Sequence, residues 1–186
     1  MPTHVIEKNV ADERGTLLAF VEAQRGGLRR ALLGLTDEQA ALKPSASELS
    51  LGGLVKHVAQ AELNWLRLAQ GRGAETEQDP SSWADGFRLL EGETVAGVLA
   101  HWEKVAAETE EFIRSVPSLE DTFPLPEAPW FPADSRVSMR WLLLHLVEEF
   151  ARHAGHADVI RESLDGKTAF ELVAEAAQAS GSGDGA

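Results

Sequence analysis

Glu149 and His153 stand four residues apart in the stretch Glu149-Phe150-Ala151-Arg152-His153-Ala154-Gly155-His156, whose apolar residues recur at helical spacing. On an α-helix that interval places two side chains on successive turns of one face, so a carboxylate and an imidazole can close on a single ion. A wheel at about 100° per residue puts Leu142, Leu146, Phe150, Ala157 and Ile160 on the face that must be buried. Glu149 and His153 fall inside the same arc, with His145 and His156 at its edge. An unpaired carboxylate in an apolar interior is costly, so Glu149 needs a partner there. A metal ion, a protonated histidine or an arginine would serve; Arg152 and Arg161 are near in sequence but point elsewhere on the wheel.

A further ligand has to come from another segment. His57 is the sole histidine of a second helical stretch and flanks an apolar face of Leu51, Leu54, Val58, Ala61, Trp65 and Leu68. Two imidazole nitrogens and one carboxylate suit zinc, with nickel or iron as alternatives, and leave a position open to water or substrate. Closed structural zinc sites usually have four protein ligands, so this set points toward chemistry. The plain alternative is that each histidine is a hydrogen-bonded packing residue, the commoner role for a helix histidine near a core. The alignment of His145, Glu149, His153 and His156 along one stripe is what favours a metal.

Other chemistries find less support. A di-iron carboxylate bundle needs paired Glu-x-x-His motifs, and the interval here is one residue too long. The His-Glu-x-x-His motif of zinc proteases is absent, and Gly52-Gly53 is not followed by the Lys-Ser or Lys-Thr of a phosphate loop. Scattered Ser, His and Asp residues show no triad spacing. Trp65, Trp102, Trp130 and Trp141 read as core and loop packing.

Composition narrows the setting. With no cysteine in the sequence, disulfides, thiolate ligands and a cysteine nucleophile are excluded; a thiol taking part in the chemistry must arrive on a small molecule. The formal net charge of -13 and the lack of a basic stripe argue against nucleic-acid binding. No apolar run is long enough to span a bilayer, and the acidic N-terminal residues do not resemble a secretory signal, so the expected location is the cytoplasm.

The elements that must position these residues are helical. Periodic segments run from about Ala11 to Leu35, with a stripe of Leu17, Leu18, Val21, Leu28, Leu32 and Leu35, locally weakened by Gly26 and Gly27. Thr36-Asp37-Glu38-Gln39 starts a short turn stopped by Pro44. Ser50 caps the second long helix, which ends at Gly71. A polar connection from Arg72 to Gly92 carries Trp83, Phe87 and Leu89, which should pack on the bundle. Thr94 caps a third helix reaching Val116, and the prolines from Pro117 to Pro132 forbid regular structure beyond short turns. The fourth helix starts at Ser138 or Ser135 and runs to Gly166. A short amphipathic piece, Ala169 to Ala177, then precedes a Ser/Gly tail expected to be disordered. The expected fold is all-α, a four-helix bundle over residues 1–166 followed by a short helix and tail over 167–186, with any metal held between facing helices.

Three motifs together carry a resemblance. Ser50-Leu51-Gly52-Gly53-Leu54-Val55-Lys56-His57, Arg136-Val137-Ser138-Met139-Arg140-Trp141, and the run from Glu149 to Asp158 resemble the DinB-like superfamily. More narrowly, they resemble its bacterial subfamily related to mycothiol-dependent maleylpyruvate isomerase. The resemblance covers about residues 10 to 166. It implies an up-down-down-up bundle, with short extra helices in the loops and a metal held by one residue of the second helix and two residues, four apart, on the fourth. Many relatives use histidine at all three places; the isomerase branch puts Glu first in the pair, as here, which carries over to His57, Glu149 and His153. His156 and His145 would stand beside those ligands. The resemblance further implies a metal-dependent transferase, isomerase-like or hydrolytic, that activates a low-molecular-weight thiol of the mycothiol or bacillithiol type, or water, for attack on a small-molecule substrate. The isomerase's additional C-terminal domain has no counterpart in this sequence, so that particular reaction is not carried over. Relatives often pair, which suggests a homodimer. The competing expectation is a non-enzymatic, stress-associated protein that binds a metal or small molecule.

Overall fold

The computed structural model describes residues 12–73, 80–129 and 131–181. Helix α1 spans Glu13–Ala31, capped by the Asp12 carboxylate, which accepts from the Gly15 amide; Glu13 in its first turn and Arg29 and Arg30 in its last complement the helix dipole. Gly26 and Gly27 do not interrupt it. It stops short of the expected Leu35 because a turn takes over after Leu32, completed by Gly34 at φ 74. Helix α2, Asp37–Ala40, opens on a full capping box between Thr36 and Gln39.

Helix α3, Leu51–Ala69, begins at the Ser50 cap, whose hydroxyl accepts from the Gly53 amide. A 3-10 helix, Pro80–Phe87, lies in the following connection. Helix α4, Val95–Ser115, is capped by Thr94, and α5, Met139–Asp165, by Ser138; Gly166 ends α5 in the left-handed conformation. Helix α6, Ala169–Gly181, extends past the expected Ala177, so Gln178 to Gly181 are helical; the remaining tail lies outside the described residues.

The proline-bearing connection departs from expectation. Strands β1, Thr122–Pro124, and β2, Arg136–Ser138, form an antiparallel ribbon in which Phe123 faces Val137. A two-stranded ladder tolerates proline at its end, because an edge strand has amides that need no partner across the sheet. The ribbon extends through Met139 N–H to Asp121 C=O and Arg140 N–H to Leu119 C=O, which fixes where α5 begins.

Named contacts set the helix directions. Glu13 pairs with Arg140 at the starts of α1 and α5, and Arg161 near the end of α5 donates to the carbonyls of Ala31 and Leu33, so these helices run parallel. Lys56 in α3 pairs with Glu93, just before α4, while Gln70, just after α3, bonds Glu108, so α3 and α4 run parallel. Trp65 near the end of α3 meets Trp141 near the start of α5, and Arg14 of α1 donates to the Arg114 carbonyl of α4. The connectivity is therefore up-down-down-up in a DinB-like all-α bundle.

The core joins all four long helices through Leu18, Val21, Leu28, Leu54, Val58, Trp102, Ile113, Leu142, Leu146, Phe150 and Ile160. Each such side chain contributes about 1.5–3 kcal/mol on burial, against the entropy of ordering it. One part of the core is ionic and was not legible in the periodicity. Glu62, fully buried on α3, accepts from Arg25 of α1 through two nitrogens and from the Trp102 indole N–H of α4 at 2.8 Å. The buried face of α3 is accordingly turned from the expected one: Val55, Ala59, Glu62, Leu63 and Leu66 are inside, whereas Ala61, Trp65 and Leu68 are only half-buried.

Candidate metal centre

The antiparallel crossing of α3 and α5 brings His57 opposite the Glu149–His153 pair. Nε2 of His57 lies 3.2 Å and Nε2 of His153 lies 3.1 Å from the same oxygen, Oε1 of Glu149. The two imidazole rings are 4.9 Å apart, edge to face. One donor atom from each of the three residues falls within 4.8 Å of the others. Donors around one tetrahedral zinc ion are separated by about 3.3 Å, given bond lengths near 2.0–2.1 Å. Two of the three separations already match that edge, so the donor set fits a divalent ion.

Electrostatics agree with the geometry. Hydrogen bonds from His153 and His57 hold the Glu149 carboxyl well below the usual carboxylate range, outweighing the opposing effect of burial. Neither nearby arginine takes part: Arg152 pairs with Glu148 and Arg161 with Asp165. The side chains of His57 and Glu149 remain 23% and 19% exposed, so solvent reaches the cluster, while His153 is 10% exposed.

Surrounding residues orient the three side chains. Nδ1 of exposed His156 sits 3.4 Å from Nδ1 of His153; a proton on Nε2 of His153 serves the hydrogen bond to Glu149, whereas an ion bound there would need that proton on Nδ1, where His156 can accept it. His145 is placed differently from His156. It stacks on Trp141 with ring centroids 4.8 Å apart and meets the Trp65 ring edge-on at 4.6 Å, one turn before Glu149. Burial lowers its pKa, with the Glu149 and Glu148 charges pulling the other way.

Phe87 is the neighbour that the sequence marked only as a packing residue. Its ring stacks on His57 at 4.0 Å and 19°. It reaches that place because Gly53 has no side chain: a Cβ there would stand 1.9 Å from the Phe87 carbonyl oxygen. Leu89 likewise occupies the space over Gly52, and Lys56 donates to the Arg88 carbonyl. The only signal in the sequence was the Gly52-Gly53 pair near the start of a helix. The Trp83 side chain and Trp130 lie outside the described residues.

A family model described as mycothiol-S-transferase matches residues 16–166. No curated protein matches the chain. A crystal structure of a conserved protein from Enterococcus faecalis is similar at a TM-score of 0.63 and 15% identity, covering 85% of this chain and 100% of that one; at such identity the likeness concerns the fold. Among the described residues, no helix is long and apolar enough to cross a membrane.

Proposed function

The chain belongs to the mycothiol-S-transferase family, and from that premise we propose that it binds one divalent metal through His57, Glu149 and His153 and uses it to activate a low-molecular-weight thiol for transfer to an electrophile. The observation carrying this reading is the convergence of two imidazole nitrogens on a single oxygen of Glu149, at a cluster that solvent can reach. Zinc is the expected ion, since two nitrogens and one carboxylate oxygen satisfy its preferences with a position to spare. When bound, such an ion supplies positive charge that lowers the pKa of a thiol or water at that position.

The protein's own residues perform the remaining tasks. Glu149 contributes a full negative charge, held ionised by its neighbours. His156 stands where it can accept a proton from Nδ1 of His153, the tautomer that frees Nε2 for an ion, and Phe87 limits the rotation of the His57 ring. With no cysteine in the sequence, the sulfur nucleophile must be the thiol of the small molecule, and no internal thiol competes for the site.

Metal analysis of the purified protein beside His57→Ala tests the site. About one equivalent in the wild type and a large loss in the variant is the expected result; substoichiometric metal unchanged by the substitution would overturn the ligand assignment. Mycothiol, bacillithiol and glutathione are then each offered with a generic electrophile. A rate no higher than that of chelator-treated protein would overturn the transferase reading.

A further inference from the structure

The seam between α3 and α5 does not end at the metal cluster. His57, Ala61 and Trp65 lie at successive four-residue steps on α3, and Trp141, His145 and Glu149 do the same on the antiparallel α5. All six are half-buried, so they form one continuous strip open to solvent along one side. Phe87 closes the strip on the side of His57 toward Gly53. At the other side Trp65 meets both Trp141 (5.3 Å, 61°) and His145 (4.6 Å, 67°), while Trp141 and His145 stack at 7°.

Between the cluster and this aromatic wall stands Ala61, half-buried and with only a methyl for a side chain. Trp141, Trp65 and Ala61 carry no charge, and burial favours the neutral form of His145. One helical turn, about 5.4 Å, separates His145 from Glu149. A ligand resting against the wall would thus present its near edge to the cluster.

We propose that Trp65, Trp141 and His145 form the binding subsite for the electrophile, and that the group it accepts is flat, uncharged and aromatic. This rests on the proposed thiol transfer at the neighbouring cluster. Ring faces and edges recognise an aromatic group by offset and edge-on packing, and an uncharged ligand loses no ionic hydration on entering. In the transfer, the thiolate sulfur gives its electron pair to the electrophilic carbon and a C–S bond forms. The bond to the leaving group breaks, and that group departs as an anion with the bonding pair; the thiol proton passes to water.

Binding of unreactive 1,3-dinitrobenzene, followed by calorimetry on metal-free wild type, Trp65→Leu and Trp65→Phe, tests the subsite without relying on metal or turnover. The expected result is a Kd raised about fivefold to tenfold by Trp65→Leu and restored to within about twofold by Trp65→Phe, as loss and recovery of ring packing require. Equal Kd values for wild type and Trp65→Leu, or no binding to the wild type, would overturn the proposal. With the metal-loaded protein and mycothiol, Trp65→Leu should raise KM for 1-chloro-2,4-dinitrobenzene with little change in kcat. A rise in the KM for mycothiol in its place would assign the wall to the thiol and overturn the proposal. Wild type that binds dinitrobenzene but holds no metal would refute the metal reading and leave the subsite standing.

Discussion

The carbonyl oxygen of Phe87 lies 1.9 Å from the point where a Cβ on Gly53 would stand, and the Phe87 ring stacks at 4.0 Å on His57, one turn further along α3. The close approach of backbone to helix and the placement of the ring over a metal-ligand candidate are one structural arrangement. Gly53→Ala sets these in conflict. The added methyl improves helix propensity by about 1 kcal/mol but forces the Phe87 backbone away, at a cost of about 1–3 kcal/mol or more. The expected outcome is a net loss of stability in urea titrations together with weaker metal binding. A variant as stable as wild type, with the same metal affinity, would show that the segment yields without cost.

Glu149 predicts a pH dependence. Its native carboxyl is held below the ordinary value by His153 and His57, so the stabilisation is fully present above the unfolded glutamate pKa of about 4.3 and is lost as pH falls below it. Metal-free wild type should exceed Glu149→Gln in stability by a constant margin from about pH 5 to 7, and the margin should shrink toward pH 3. Urea midpoints measured with a chelator present test this, and a margin independent of pH would contradict it.

His145 predicts a second pH dependence, placed higher on the scale. Burial lowers its native pKa, so the associated stability is present above the unfolded histidine value of about 6.5 and is lost as pH falls through the native one. His145→Phe, which keeps a ring against Trp141 and cannot take a proton, should lose less stability than wild type between pH 7 and 5. Parallel curves for the two proteins would show that His145 takes its proton as easily folded as unfolded.

The buried Arg25–Glu62–Trp102 network predicts non-additive mutational effects. Glu62→Leu leaves the buried Arg25 guanidinium with the half-exposed Glu22 as its carboxylate partner and should cost up to about 3–5 kcal/mol. Adding Arg25→Met removes that poorly compensated charge, so the double variant should recover a substantial part of the loss. Chemical denaturation of both single variants and the double supplies the cycle. Additive losses would mean that Glu22 and water satisfy Arg25 once Glu62 is gone.

Much of the protein is determined locally. Asp12, Ser50, Thr94 and Ser138 each cap a helix because a short polar side chain can accept an amide of its own first turn; Ser50 and Thr94 were legible as caps from their neighbours alone, and Ser138 as one of two candidates with Ser135. The pairing of Glu149 with His153 is likewise a property of one helix, since residues four apart share a face whatever surrounds them. The choice of His57 as their partner followed from residue type and family resemblance, and the structure brings it to the same carboxylate oxygen.

Tertiary structure decided what depends on distant segments meeting. Glu62 is buried because Arg25 and Trp102 arrive from two other helices, and periodicity within α3 holds no trace of either. With Glu62 inside, α3 turns a different face to the core from the one expected, and Trp65 and Ala61 stay half open to solvent on the side of His57. Phe87 reaches His57 across a connection whose course is set by a missing side chain at Gly53. The β-ribbon depends on pairing between strands separated by a proline-bearing loop. Local sequence specifies which residues can share a face; only packing between elements specifies what that face will meet.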